Sequence, residues 1–135
     1  MGSVREREMV QAFEDEGWAA LRVGGSGSGT SEPRPDLIVG DGGSIYWAVE
    51  EKYNANSLQT YIDSEKGSEI TEWATRFGAS PVAAVRYSTD MDEVETADWF
   101  ICGLEDVERT NTGNYKLNYS QAKDWVTLSQ LFDQL

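Results

Sequence analysis

The 135-residue sequence contains no histidine and a single cysteine, Cys102. Neither a Cys/His zinc site nor an internal disulfide can be built from these residues. No apolar run approaches the roughly 20 residues of a membrane-spanning helix, and the charged start at 1–6 lacks the apolar core of a secretion signal. These absences predict a protein of the reducing cytoplasm, with no membrane partner and a core that needs no disulfide or structural metal.

Positive charge is also scarce. Lysine and arginine together number 11 against 24 acidic residues, which gives a net charge of −13 at pH 7. This balance disfavours a polyanionic partner at low salt, because phosphate binding normally uses basic groups. The acids are spread along the whole chain, which predicts a halophilic protein adapted to molar salt, where the Debye length is about 3 Å and only charges near a site act on a ligand. An ordinary acidic protein is the alternative.

Apolar spacing and capping residues predict helices packed on a sheet. Helices are expected over 4–16, ended by Gly17, and from 128 to the C-terminus. A further helix is expected where Ile70, Trp73, Ala74 and Phe77 form an apolar stripe that Gly78 ends. Strands are expected at 18–23, 36–39, 44–53, 81–87, 99–103 and 115–119. The remaining stretches are expected as a Gly/Ser-rich loop at 24–35, a polar lead into the second helix at 54–63 and a solvated acidic loop at 90–98.

These elements predict one α/β domain over residues 1–135, with helices flanking a central mixed sheet of about five strands. No internal repeat or domain boundary interrupts it. The Gly/Ser-rich loop lacks the ending of a nucleotide-binding loop, so a mobile loop near an active site or DNA is expected there, with a plain linker as the alternative.

Three polar side chains lie within apolar strand runs. Asp36 opens one run, and Glu50 and Lys52 lie two residues apart in the next. Because side chains alternate along a strand, Glu50 and Lys52 are expected on one face. The turn at 41–43 favours a hairpin that brings Asp36 beside them. Two clustered carboxylates are hard oxygen ligands of the kind that Mg²⁺ or Mn²⁺ prefers.

The combination of two acids and a lysine indicates phosphodiester hydrolysis. A metal held by two acids keeps positions for water and a phosphate oxygen, and it lowers the pKa of the bound water. Lys52 would offset charge on the phosphate or orient the attacking water. Glu6, at the edge of the first helix's apolar stripe, is a candidate further ligand, directly or through water. Taken singly, each residue has an ordinary structural explanation in a turn or at a strand edge.

The sequence Pro35-Asp36 followed by Glu50-Glu51-Lys52 resembles the Pro-Asp…(Asp/Glu)-x-Lys nuclease superfamily. Several further segments, in the same order and spacing, resemble the archaeal Holliday junction resolvases within that superfamily. These segments are 6–10, 17–22, 25–26, 35–38, 49–52, 76–78 and 81–85. The resemblance covers about 4–87 and is weak in the C-terminal part.

The resemblance implies a restriction-endonuclease-like fold and a structure-selective, Mg²⁺-dependent endonuclease that resolves four-way DNA junctions by paired nicks. It implies that Glu6, Asp36 and Glu50 are the acids linked to the metal and that Lys52 is the catalytic lysine. A homodimer is implied as well, and a pair of identical sites suits two symmetric nicks.

The resemblance also implies roles for three residues outside this group. Ser26 would be the loop serine beside the active site, and Arg7 and Arg22 would lie near the DNA. The sequence departs from the family at Glu51, where an apolar residue or cysteine is usual. The face that carries Glu51 is therefore expected to be less buried or to contact a partner.

Two other functions remain open at this point. The chain could be another endonuclease of the superfamily that acts on duplex or flap DNA, or a catalytically silent DNA-binding domain of the same fold. The second is disfavoured, because a silent domain has no physical need for clustered carboxylates that repel one another and the DNA.

Overall fold

The computed structural model describes residues 3–23 and 34–134. Its helices are α1 (Ser3–Asp15), α2 (Ser64–Phe77), α3 (Tyr119–Ala122) and α4 (Leu128–Asp133), with a 3-10 turn at Leu104–Asp106. Its strands are β1 (Ala19–Arg22), β2 (Leu37–Gly40), β3 (Tyr46–Asn54), β4 (Gln59–Ile62), β5 (Ser80–Tyr87), β6 (Phe100–Gly103), β7 (Tyr115–Asn118) and β8 (Val126–Thr127). In this part of the chain no helix is long and apolar enough to cross a membrane.

A mixed sheet of six strands, in the order β1-β2-β3-β5-β6-β8, forms the centre of the fold. Only β3 and β5 pair in parallel, and the other neighbours are antiparallel. Residues Val82 to Val85 of β5 are almost wholly buried, as expected for a strand covered on both faces. The predicted mixed sheet flanked by helices is therefore confirmed, with one strand more than expected.

The predicted hairpin joins β2 to β3. Their antiparallel register pairs Leu37 with Val49 and Gly40 with Tyr46. In the turn, the Asp41 side chain accepts a hydrogen bond from the Gly43 N–H at 2.7 Å. Gly42 has a φ of 81°, a left-handed conformation that glycine adopts without steric cost. Local turn chemistry thus sets the register that places the acidic residues of the two strands together.

Helix α1 covers one face of the sheet. Met9 and Phe13 are 1% and 0% exposed and pack in a cluster with Trp18, Leu37 and Leu128. Gly17, with a φ of 85°, follows the helix as predicted. Helix α1 therefore packs on β1 and β2, at one edge of the sheet.

Helix α2 lies against β3 and β5 and begins at a strong cap, since the Asp63 side chain accepts hydrogen bonds from two backbone N–H groups of its first turn. Ile70 and Ala74 are fully buried. The prediction that Phe77 belongs to the buried stripe is wrong, because it is 59% exposed and stacks on Trp73 with ring centroids 5.0 Å apart. An apolar stripe in a sequence does not reveal whether the chain itself covers it.

The prediction that 54–63 is only a polar lead into α2 is also wrong. Strand β4 lies in this segment and pairs antiparallel with β7, from Gln59 opposite Asn118 to Ile62 opposite Tyr115. These two strands form a separate small sheet, so β7 is not part of the central one. Only Ile62 in β4 is a buried apolar residue, which is why the sequence pattern gave no strand signal.

The C-terminal part contains two short elements that were not expected, α3 and β8. Helix α4 begins with a capping box between Thr127 and Gln130 and buries Leu128 and Leu131. Leu135, expected on this helix, lies outside the described residues. The acidic loop at 90–98 is largely solvated, as predicted, but Val94 is buried in the second core cluster.

Candidate active site

Asp36 and Glu50 lie opposite each other at the end of the β2–β3 pair that is farther from the hairpin turn. The Asp36 N–H donates to the Val49 carbonyl at 2.9 Å, and the Glu51 N–H donates to Asp36 Oδ2 at 2.8 Å. Asp36 therefore lies opposite Glu50 in the antiparallel register, and burial together with the charge of Asp36 raises the pKa of Glu50. The predicted pairing of these two acids is present in the structure.

Burial sets the electrostatics of this pair. Glu50 is 5% exposed, and burial followed by the neighbouring Asp36 raises its pKa from 4.5 to about 8. Burial also raises the pKa of Asp36, although the hydrogen bond from the Glu51 N–H opposes the shift. A proton shared between two close carboxyl groups is the expected state without a cation. Displacing that proton is what a divalent metal does on binding.

The carboxyl pair fits a hard metal ion. Glu50 Oε1 is buried and has no hydrogen-bond partner among the residues that the structure describes. A buried carboxylate oxygen without a donor is costly unless a cation or donor reaches it. Within the same ranges no three Asp, Glu, Cys or His side chains gather into one ligand group. The two acids would thus provide the protein ligands, with water and phosphate oxygens as the rest.

Glu6 lies near the pair without joining it. Its side chain is 19% exposed at the edge of the stripe that α1 buries, as predicted, and its charge raises the pKa of Asp36 and Glu51. Glu6 Oε1 accepts a hydrogen bond from Arg22 Nε at 3.1 Å. A contact with a metal through water suits this position better than direct ligation.

Two lysines surround the carboxyl pair. Lys52 shares the face of Glu50 on β3, as strand alternation predicted, and lowers the pKa of both acids. Lys66, in the first turn of α2, also lowers both pKa values and acts more strongly than Lys52. Lys66 is not among the site residues that the sequence predicted. One signal was available, because a lysine three residues after a capping aspartate opposes the helix dipole.

Glu51 projects from the opposite face of β3, toward α1. It is half-buried rather than exposed, and its Oε2 atom is buried without a hydrogen-bond partner among the described residues. Burial, then Asp36 and Glu6, raise its pKa to about 8. The charged Glu51 in place of an apolar residue or cysteine predicted a less buried face or a partner contact. The structure instead buries half of this side chain against α1.

The residues expected near DNA differ in their surroundings. Arg7 is exposed on α1 and makes no ion pair within the described part of the chain. Arg22 is 38% exposed and pairs with Glu6. Arg5 lies over the Tyr53 ring at 3.6 Å from its centroid. Ser26 lies outside the described residues.

Comparisons with known proteins agree on one family. A family model for the archaeal Holliday junction resolvase (Hjc) matches residues 1–135. The crossover junction endodeoxyribonuclease Hjc of Sulfolobus acidocaldarius is 27% identical over 130 residues, covering 96% of this chain and 85% of the relative. That of Archaeoglobus fulgidus is 29% identical over 119 residues, covering 88% and 79%.

A solved structure gives the same result. The structure of Archaeoglobus fulgidus Hjc, a Holliday junction resolvase from an archaeal hyperthermophile, matches with a TM-score of 0.80 and 26% identity. The match covers 97% of this chain and 99% of that chain. The likeness therefore extends through the C-terminal part, where the sequence resemblance was weak.

Proposed function

Since the chain belongs to the archaeal Holliday junction resolvase family, it is a nuclease of DNA junctions, and we propose that it cuts them by metal-dependent hydrolysis with paired nicks. The observation that carries the proposal is the pairing of half-buried Asp36 with buried Glu50, whose Oε1 atom has no hydrogen-bond partner among the described residues. Lys52 and Lys66 place positive charge beside this pair. Such a site suits the binding of a divalent cation and a phosphate group.

Asp36 and Glu50 would hold the metal, Mg²⁺ by preference and Mn²⁺ as a substitute, with Glu6 contributing through water. When bound, the ion supplies Lewis-acid stabilisation of phosphate charge and a water of lowered pKa. The attacking water oxygen forms a bond to phosphorus, the bond to the leaving sugar oxygen breaks, and that oxygen takes up a proton. Lys52 would stabilise the charge that accumulates on the phosphate oxygens.

Binding to the DNA backbone is proposed for Arg7 and Arg22, on α1 and β1. Both lie on the side of the sheet where Glu6 borders the acid pair. Ser26, in the segment between β1 and β2, is proposed as a further active-site residue. Each arginine that contacts a phosphate replaces counterions released from the DNA.

A homodimer is part of the proposal, because two symmetric nicks need two sites. The stacked Trp73 and Phe77 rings supply a candidate contact surface on α2. Phe77 leaves 59% of its surface exposed beside the half-buried Trp73, so the two rings offer apolar area that a partner could cover. A two-fold axis near this helix would bring two copies of the same apolar patch together.

The proposed location of the protein is the cytoplasm. Residues 1–135 are proposed to form one nuclease domain. Adaptation to molar salt stays a prediction from the net charge of −13. At low ionic strength this charge repels DNA and a second subunit, and screening weakens the repulsion. Junction nicking and the dimer fraction, followed from about 0.1 M to molar KCl at fixed Mg²⁺, are expected to rise together. A steady decline of both from the lowest salt would contradict this adaptation.

Cleavage of synthetic DNA tests the function directly. The purified protein is incubated with Mg²⁺ and a four-way junction, a linear duplex or a flap of the same arm sequences. Paired, symmetric nicks in the junction and little cutting of the other two are expected, and Asp36→Asn is the inactive control. Preferential cutting of the duplex or flap would favour another endonuclease of the superfamily. Binding to the junction with no cutting in Mg²⁺ or Mn²⁺ would indicate a silent DNA-binding domain.

A further inference from the structure

The first turn of α1 is not held on the sheet by apolar contacts. Val4 is 56% exposed, and the residues at 5–8 are all charged. Met9 is the first residue of the helix that is buried in the core. The position of Glu6, which lies in this turn, therefore depends on the polar contacts that the turn makes with the strands below it.

One of these contacts ties the turn to β1. Glu6 Oε1 accepts a hydrogen bond from Arg22 Nε at 3.1 Å. Arg22 pairs with Leu37, the residue after Asp36, in the β1–β2 register. This geometry places Glu6 at the end of the sheet where Asp36 lies. Because the Arg22 side chain is 38% exposed, an ion pair of this kind contributes little to holding the helix by itself.

A second contact ties the same turn to β3. The Arg5 guanidinium lies over the Tyr53 ring, with its central carbon 3.6 Å from the ring centroid. Tyr53 directly follows Lys52, and it packs against the core cluster that α1 covers. Arg5 and Tyr53 are both half-buried, so their cation–π contact is stronger than one in open solvent.

The Tyr53 ring is held in turn by β5. Arg86 lies opposite Tyr53 in the parallel register, and its guanidinium carbon is 5.7 Å from the Tyr53 centroid and 5.8 Å from the Trp99 centroid. Arg86 Nη1 also lies 3.8 Å from Glu8 Oε2 on α1. Because Arg5 and Glu8 are three residues apart, they share one side of the helix, and that side is held on the ends of β3 and β5.

We propose that Arg5 and Tyr53 are positioning residues, whose contact fixes the first turn of α1 and so holds Glu6 beside the acid pair. The inference rests on the proposed nuclease function and adds two residues to it. With Arg5 held on β3 and Glu6 held on β1, the turn spans the end of β2, next to Asp36. Without the ring contact, only the partly exposed ion pair to β1 would hold Glu6. An acid that acts on a metal through water depends on such supporting contacts for its orientation.

The test uses the full chain with Arg5→Ala, Tyr53→Leu and Tyr53→Phe. Affinity for Mn²⁺ is measured without DNA from the electron paramagnetic resonance signal of the free ion. Single-turnover nicking of a four-way junction is measured across a Mg²⁺ series. R5A and Y53L are expected to weaken Mn²⁺ binding about 10-fold and to raise the Mg²⁺ requirement to match. Y53F should behave like the wild type, because it keeps the ring that Arg5 contacts.

Glu6→Gln separates positioning from a general loss of stability. Since Arg5 is proposed to act through Glu6, R5A should cause no further loss of Mn²⁺ affinity in the E6Q chain. Arg109→Ala is the matched control, because Arg109 lies over the Tyr115 ring with its guanidinium carbon 4.0 Å from the centroid. It removes the same charge and the same kind of contact from the C-terminal part, and wild-type metal dependence is expected.

Equal metal dependence for R5A, Y53L and R109A, with an active wild type and an inactive D36N, would overturn the positioning role and leave the proposed function standing. An R5A loss of the same size in the E6Q chain would also overturn it, in favour of a purely structural role. A flatter salt dependence of junction binding in R5A, with unchanged metal dependence, would make Arg5 a DNA contact instead. A wild type that neither binds Mn²⁺ nor nicks the junction would overturn both proposals.

Discussion

Arg22 Nε donates a hydrogen bond to Glu6 Oε1 at 3.1 Å, so a residue proposed to bind DNA is paired with one proposed to act near the metal. The pair joins β1 to α1 across 16 residues of sequence. If Arg22 binds DNA as proposed, phosphate and Glu6 would compete for the same guanidinium group, whereas the exposed Arg7 has no such competitor among the described residues.

Removing either arginine is expected to weaken junction binding more than it changes the metal dependence of nicking. Arg7→Ala and Arg22→Ala should each flatten the salt dependence of binding by about one unit of slope. In Arg22→Ala the unpaired Glu6 adds repulsion, and Glu6→Gln in the same chain should recover part of the loss. Affinities measured across a KCl series check this. Slopes equal to that of the wild type would assign both arginines to the fold.

Asp36→Asn and Glu50→Gln are each expected to abolish nicking while leaving junction binding intact or stronger. Each change removes a proposed metal ligand and, in the metal-bound state, a negative charge that faces phosphate. Glu105→Gln removes a charge from an exposed position and serves as the control. Single-turnover rates and metal-free affinities are compared. A variant that nicks at the wild-type rate would exclude its residue from the site.

The stability of the metal-free protein is expected to fall as pH rises toward about 8. The pKa of Glu50 is raised from 4.5 to about 8, so in this interval the folded state holds a proton that the unfolded chain has released. The free energy of unfolding then decreases with pH, by at most about 1.4 kcal/mol per unit for one group. This contribution is complete below pH 4.5 and is lost as Glu50 ionises in the folded state.

Urea unfolding of wild type and Glu50→Gln in EDTA, at pH values from 5 to 8, measures this contribution. The variant should gain stability relative to the wild type as pH rises, because its neutral amide has no proton to lose. Parallel curves for the two proteins would mean that Glu50 is not protonated in the folded state.

Phe77→Ser is expected to shift the protein from dimer to monomer without loss of folding. Phe77 is 59% exposed, so its removal costs the core little, while a dimer face would lose its central ring. Leu21→Ser is the matched control, since Leu21 is 58% exposed on the edge strand β1. Sedimentation velocity gives the dimer fraction. Dissociation by the Leu21 change alone would place the interface on β1.

Gly67→Ala is expected to destabilise the protein although alanine is the better helix former. Helix propensity favours the change by up to about 1 kcal/mol. The new Cβ would lie 2.0 Å from the Tyr115 ring, and overpacking of this kind costs about 1–3 kcal/mol. Chemical unfolding of G67A, Y115A and the double variant gives the coupling free energy between the two residues. Additive effects would mean that the two residues do not contact.

The acid pair could be predicted from the sequence because it depends on short-range rules. Strand alternation placed Glu50 and Lys52 on one face, and the turn after Gly40 returned the chain so that Asp36 lies beside them. Lys66 could not be found in this way, because its position depends on where α2 packs. That packing includes contacts with residues about fifty positions later in the chain, from the Ser64 N–H to Asn114 and from Gly67 to the Tyr115 ring.

The sequence also could not predict how far each side chain is buried. Phe77 follows Trp73 at helical spacing, yet the pattern is the same whether the chain or a partner covers the rings. The sequence pattern did not predict strand β4, because its mostly polar residues pair with the distant strand β7 and only Ile62 is buried in the core. Glu51 was expected on the face opposite Glu50, but its burial toward α1 depends on helix packing that alternation does not determine.

Because β4 pairs with β7, the surroundings of the site depend on a segment that is synthesised later than the site residues themselves. Asp36, Glu50 and Lys52 are synthesised early. The first turn of α2, however, depends on a later segment, because Asn114 Oδ1 accepts a hydrogen bond from the Ser64 N–H. A nascent chain that stops before this asparagine has both acids and both lysines but lacks that anchor. Long-range pairing of this kind also forms late and slowly. Completion of the candidate site is thus deferred until the segment that carries Asn114 has been synthesised.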